Sequence, residues 1–257
     1  MVIIDERYIP EGERPSTEVL KRCFELHNKQ KARLEKLYDY LDGEHEIKKR
    51  TMESSCAANN KLVCNHAEYI TDMAVGYVHG CPVQYSGEEG VVKEIIDLYT
   101  DIDEDSHNAE LGDDISTYGY GLEYIYMSDD DVATPQLEAI DPRFAFVVGN
   151  TDIGHKPIMG VMYGARVDLS GTVQGYDVTV VTRSMLYSYF SAGGTFSDFV
   201  PEFERINPFG GVPLIEYKNN KREKGDFEGV LSLIDAYNLL QSDRVNDKEQ
   251  LVDSLLA

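Results

Sequence analysis

Tryptophan is absent, cysteine is scarce and cations are heavily outnumbered, and each shortage removes a class of function. With no Trp, even 17 Tyr do not indicate a sugar-stacking cleft. The four cysteines, Cys23, Cys56, Cys64 and Cys81, follow no dense spacing, which argues against a disulfide scaffold and for a reducing interior. No segment approaches the roughly 20 apolar residues that cross a bilayer, and no apolar run follows a basic start, so the chain is expected to be soluble, cytosolic when made and without a membrane partner. Against 46 acidic residues there are only 24 Lys and Arg, a net charge of -22 that repels nucleic acid and anionic lipid from most of the surface. A local basic patch or an acidic channel stays open.

Motifs of catalysis are missing as well. There is no G-x-x-x-x-G-K-[ST], which removes a P-loop ATPase, and no G-x-S-x-G elbow. Gly119 and Gly121 begin a G-x-G, but Tyr124 stands in the third glycine's place and the segment runs into a strand. The acidic "DIDEDS" at 101–106 fails as a calcium loop because Ser106 stands where Gly is needed and Gly112 where the bidentate Glu is needed. It reads as a solvated face, as does the turn Asp129 to Asp131. Cys64 and His66, with Cys56 and Cys81 nearby, match no zinc spacing, and His66 falls on an apolar stripe expected to be core. No catalytic residue, metal or cofactor is expected.

What is present reads as α+β: N-terminal helices, a central and mostly antiparallel β region, then a long C-terminal helix. Residues 1–15 are polar and Pro-interrupted, which predicts a flexible or docking arm. Ser16 can cap a helix carrying Leu20, Phe24, Leu34, Leu37 and Leu41 that Gly43 can end, with a possible break at the polar stretch 28–31. A second helix is expected from about Lys61 to Val78, with Leu62, His66, Tyr69, Ile70, Met73 and Tyr77 on one stripe, and an acidic helical region from Val91 to Tyr118. "GLEYIYM", "LEAI", "FAFVV", "IMGVMYGARV", "YDVTVVT", "MLYSYF" and "PLIEY" are then short β-branched or aromatic runs between turn signals.

The stretch "EYKNNKREKGDFE" places Lys221, Arg222 and Lys224 just before the last helix, for which Asp226 is the candidate N-cap. A helix N-terminus disfavours cations, so these three need an anionic partner, either DNA phosphates or carboxylates. Within the helix, Asp235, Asn238, Ser242, Asn246, Glu249 and Asp253 follow at steps of three or four and share a narrow stripe. The opposite face is apolar, interrupted at its centre by Arg244 and Lys248. Periodicity alone allows an ordinary amphipathic helix with two snorkelling cations, or an intersubunit helix whose cations meet a neighbour's carboxylates.

Five blocks, "LYDYLDGEHEI", "NNKLVCNHAEYITDMAVGYVHGCPVQY", "ELGDDISTYGYGLEYIY", "IDPRFAFVV" and the run from Asn207 to Asp247, give the chain a resemblance to portal proteins of tailed bacteriophages, siphophage type, over nearly all its length. The resemblance implies a structural subunit of a ring, usually of twelve copies, at one capsid vertex, made in the host cytoplasm and carried in the virion. Its implied partners are further copies of itself, a terminase, head and tail proteins, and double-stranded DNA passing through the channel. It also implies a wing over residues 16–225 and the start of a stem helix over 226–257. Related chains continue into clip and crown, so this one is expected to be a fragment or truncated gene. On this reading the stripe from Asp235 to Asp253 faces the channel, while Lys221, Arg222, Lys224, Arg244 and Lys248 lie at a subunit interface. The competing expectations are a hydrolase using carboxylates in an acidic cleft and a monomeric capsid-associated adaptor.

Overall fold

A computed structural model of the chain describes residues 1–52, 58–129 and 133–254, without the side chains of 89, 253 and 254. Ser16 caps helix α1 (Thr17–Leu41), its Oγ accepting from the Val19 amide, and Gly43 ends it at a φ of 74°. The polar stretch 28–31 does not break α1, because its inner stripe continues through His27 and the aliphatic stem of Lys31. His27 is buried against Phe146, and that burial lowers its pKa to about 4, so the ring enters the core neutral.

The second helix, α2 (His66–His79), starts later than its periodicity suggests, with Asn65 as N-cap. Of its stripe only Ile70 packs against a core: His66, Tyr69, Met73 and Tyr77 are all exposed, whereas the buried histidines are His27, His45 and His107. The acidic region divides into α3 (Glu89–Asp101) and α4 (Glu104–Tyr118) at Asp103, which adopts a φ of 52°. A left-handed residue ends one helix and lets the next leave in a new direction.

Among the described residues there are nine strands, seven of which follow the alternating runs. Six form one sheet in the order β1 (Val2–Ile3), β4 (Ala145–Gly149), β5 (Pro157–Val167), β6 (Val173–Thr182), β7 (Met185–Ser191), β8 (Val200–Ile206). The other sheet orders β3 (Pro135–Ile140), β2 (Tyr120–Met127) and β9 (Leu214–Lys218). Every pairing among them is antiparallel except β1 with β4. Two strands escaped the sequence signals. β8 is an exposed edge strand in which Pro201 and alternating charges are tolerated because nothing pairs with its outer side.

β1 corrects the flexible arm expected of residues 1–15: Val2 and Ile3 pair with Val148 and Gly149, and Val2, Ile4 and Ile9 are buried. Two residues of ladder suffice because three apolar side chains anchor them.

α1 bridges two cores. Its N-terminal half places Leu20, Cys23 and Phe24 against the large sheet, with Phe24 stacked on Phe196 at 4.2 Å. Its C-terminal half places Leu34, Leu37 and Tyr40 among Leu122, Leu214, Phe227 and Ile234. Phe227 ties the last helix, α5 (Leu231–Ser254), to this second core. Asp226 is not its N-cap. The Asp226 carboxylate accepts from Ser116 Oγ at 2.7 Å and Asn219 Nδ2 at 2.8 Å, and a 3-10 turn, Glu228–Val230, intervenes before α5.

Candidate functional site

The polar stripe of α5 turns inward at Asn238, Ser242 and Asn246, whose burial against the chain itself corrects the channel-facing expectation for these three, while Asp235 is half-buried and Glu249 exposed. Asn238 Oδ1 accepts from the Cys64 amide at 2.8 Å, Ser242 Oγ from the Leu62 amide at 3.0 Å, and Asn246 Oδ1 from the Asn60 amide at 2.8 Å. The match is geometric. Four residues advance a helix about 6 Å and two residues advance an extended chain about 6.6 Å, so every fourth side chain meets every second amide. Residues 60–64 thus run antiparallel to α5 and use its side chains where a strand would use backbone carbonyls. Glu249 accepts from Asn60 Nδ2 at 2.9 Å, and the buried Tyr40 hydroxyl donates to Asp235 at 2.7 Å. The Asp253 side chain lies outside the described residues.

One end of the latch is fixed by His45. Its Nε2 donates to the Tyr40 carbonyl at 2.9 Å, leaving Nδ1 to accept from Asn238 Nδ2 at 2.7 Å. That assigns the tautomer and, because the Cys64 amide must meet an oxygen, the orientation of the Asn238 amide.

With its polar side consumed, α5 shows solvent its apolar one. Leu233, Tyr237 and Leu240 are exposed, and Arg244 and Lys248 continue the same line. Tyr237 meets His66 edge-on at 5.1 Å, which joins this line to the exposed stripe of α2. A hydrophobic band on the outside and a neutral polar seam on the inside is the reverse of an ordinary surface helix.

Lys221, Arg222 and Lys224 are also exposed, and none forms an ion pair among the described residues. Their loop is nevertheless rigidly built. Asn220 Oδ1 accepts from the Arg222 and Lys224 amides at 3.0 and 3.2 Å, and Asn219 holds Asp226. The junction between loop and helix is clasped by a residue the sequence did not single out. Arg33 reaches Glu228 with two bonds, at 2.9 and 2.6 Å, and the Tyr118 and Glu223 carbonyls at 3.0 and 2.8 Å. The Arg33 guanidinium holds the Glu228 carboxyl below the usual range. The pair therefore stabilises the fold above the ordinary glutamate pKa, and that stability is lost as the pH falls through the depressed one. Arg33→Met should cost about 1–2 kcal/mol at neutral pH, because it strands Glu228 and two carbonyls in a half-buried position. Melting curves check it, and a loss that persists unchanged at acid pH would assign the cost to packing.

Among models of protein families, the one described as phage portal protein, SPP1 Gp6-like, matches residues 20–257. The chain belongs to this family. No curated protein matches it significantly. The match begins inside α1 and runs through both sheets and α5, so the exposed band, the latch and the cation loop all lie in the portal-like region.

Portal family membership makes the role of the chain a structural one in the phage capsid. The most perturbed carboxylate, Asp114 on α4, has a pKa raised to about 8 by burial first and then by Asp141, Asp113 and Glu110. A hollow of about 540 Å³ lies between the segment Pro82–Tyr85 and Ile96, Tyr99 and Glu104. No helix among the described residues is long and apolar enough to cross a membrane.

Proposed function

We propose that this portal chain is a structural subunit of a ring at one capsid vertex, whose central channel carries double-stranded DNA during packaging and ejection. The family match over residues 20–257 carries the reading. In it residues 16–225 serve as wing and the helix after Asp226 as the start of the stem, with terminase, head and tail proteins as the further partners. The surface chemistry supports assembly: a chain of net charge -22 keeps an apolar band exposed, and five cations, Lys221, Arg222, Lys224, Arg244 and Lys248, form no ion pair among the described residues. Carboxylates of a neighbouring subunit are the partners this reading assigns them, since DNA reaching them would cross the negative field of the chain.

Native mass measurement on particles purified from phage heads checks the ring reading, with a closed multiple of the chain expected. A mass corresponding to one copy would favour a monomeric adaptor. Reversing Lys221, Arg222 and Lys224 to Glu should weaken assembly in a salt-sensitive way, each exposed pair contributing at most about 1 kcal/mol. Unchanged assembly with lost DNA retention would make phosphates the partner instead.

A further inference from the structure

α3 is the least supported helix of the fold. It packs sparingly on α4 and is tied to the preceding segment by Tyr85, whose ring lies 5.2 Å from Tyr99 and whose hydroxyl donates to Glu104. Val91, Ile95 and Ile96 are all exposed, and the hollow of about 540 Å³ opens beside Ile96. On the helical wheel Glu94 and Asp101 lie toward one edge of this apolar face, Lys93 toward the other and Asp97 opposite it, while Asp103 and Asp105 line the hollow; neither Glu94 nor Asp101 forms an ion pair among the described residues. The α2–α5 band is a second exposed apolar face of opposite charge: Leu233, Tyr237 and Leu240 in line with Arg244 and Lys248, with Asp247 at its edge.

We infer that the α2–α5 band of one copy seats on the α3 face of the next, the occupant of each surface being a second copy of this chain. The inference rests on the ring reading above and deepens it by naming the two faces. Charge decides the pairing. Band on band would bring Arg244 and Lys248 against their equivalents, and α3 on α3 would do the same for Glu94, Asp101 and the acidic lining of the hollow, whereas band on α3 pairs cations with carboxylates beside an apolar centre. Two different patches in contact make a heterologous interface, which propagates to a third copy and closes into a ring when the rotation allows it. Exposed apolar area of this kind marks an interaction surface, and the projecting Tyr77 at the end of α2, 91% exposed, is small enough to enter the hollow.

Cysteine cross-linking tests it on the whole chain, with Cys56, Cys64 and Cys81 replaced by Ser. A mixture of Ile95→Cys and Leu240→Cys chains treated with a short bismaleimide should give a cross-linked dimer, each variant alone should stay monomeric, and the double variant should give a ladder. A dimer from either single variant would overturn the inference in favour of a two-fold contact. Sedimenting multimers without any mixed product would overturn it while leaving the ring reading intact. A chain that never associates would overturn both. Reversal of Arg244 and Lys248 to Glu should weaken association on the order of tenfold, and adding Glu94→Lys with Asp101→Lys should restore it. Additive losses would count against the pairing.

Discussion

Asn238→Ala is expected to lower the stability of the chain by about 3 kcal/mol, the combined cost of two stranded polar groups. The Cys64 amide loses its acceptor and the Nδ1 of His45, a ring with no exposed surface, loses its donor. The loss reaches further than one bond, because residues 60–64 are held on α5 by three such acceptors in register. Ser242→Ala should cost about 1 kcal/mol, since the Leu62 amide lies nearer solvent, and Gln250→Ala on the outer surface should cost almost nothing. Thermal melts and amide exchange at Leu62 and Cys64 read the result. If Asn238→Ala melts as the parent does but alters DNA retention, the stripe belongs to a channel after all and the latch is incidental.

The second large effect depends on pH. Asp114 is held above the ordinary carboxylate value of 3.8, at about 8, by burial and by the neighbouring carboxylates of Asp141, Asp113 and Glu110, with Arg143 opposing. Between those two values the folded chain binds a proton that the unfolded chain has released, so stability falls as the pH rises from 4 to 8 and is flat beyond. Asp114→Asn keeps the shape and removes the charge. The variant should therefore match the parent near pH 4 and exceed it at pH 8 by on the order of a few kcal/mol, less whatever the partial exposure of the site screens. Parallel melting profiles for the two proteins across that range would show that Asp114 ionises freely and that the cluster of carboxylates is solvated.

The sequence determined the elements. Ser16 and Gly43 mark the ends of α1, and the alternation of β-branched and aromatic residues from Tyr120 to Lys218 marks most strands, because caps and period-two patterns act within a few residues of chain. The five ordered blocks of family resemblance were legible for the same reason: they are strings of local identity. Tertiary structure decided which faces look inward. The docking of residues 1–15 turned on three apolar side chains finding a sheet edge some 140 residues away, which no local pattern records. Arg33 was one cation among many until the fold brought Glu228 opposite it. On α5 the period correctly put Asn238, Ser242 and Asn246 opposite Leu233, Tyr237 and Leu240, but a wheel divides a helix into two faces without saying which is the inside. Burying a neutral amide or hydroxyl is costly only when it lacks a partner. The amides of residues 60–64 supplied those partners, and that long-range match, invisible along the chain, sent the polar face into the protein and left the apolar one outside.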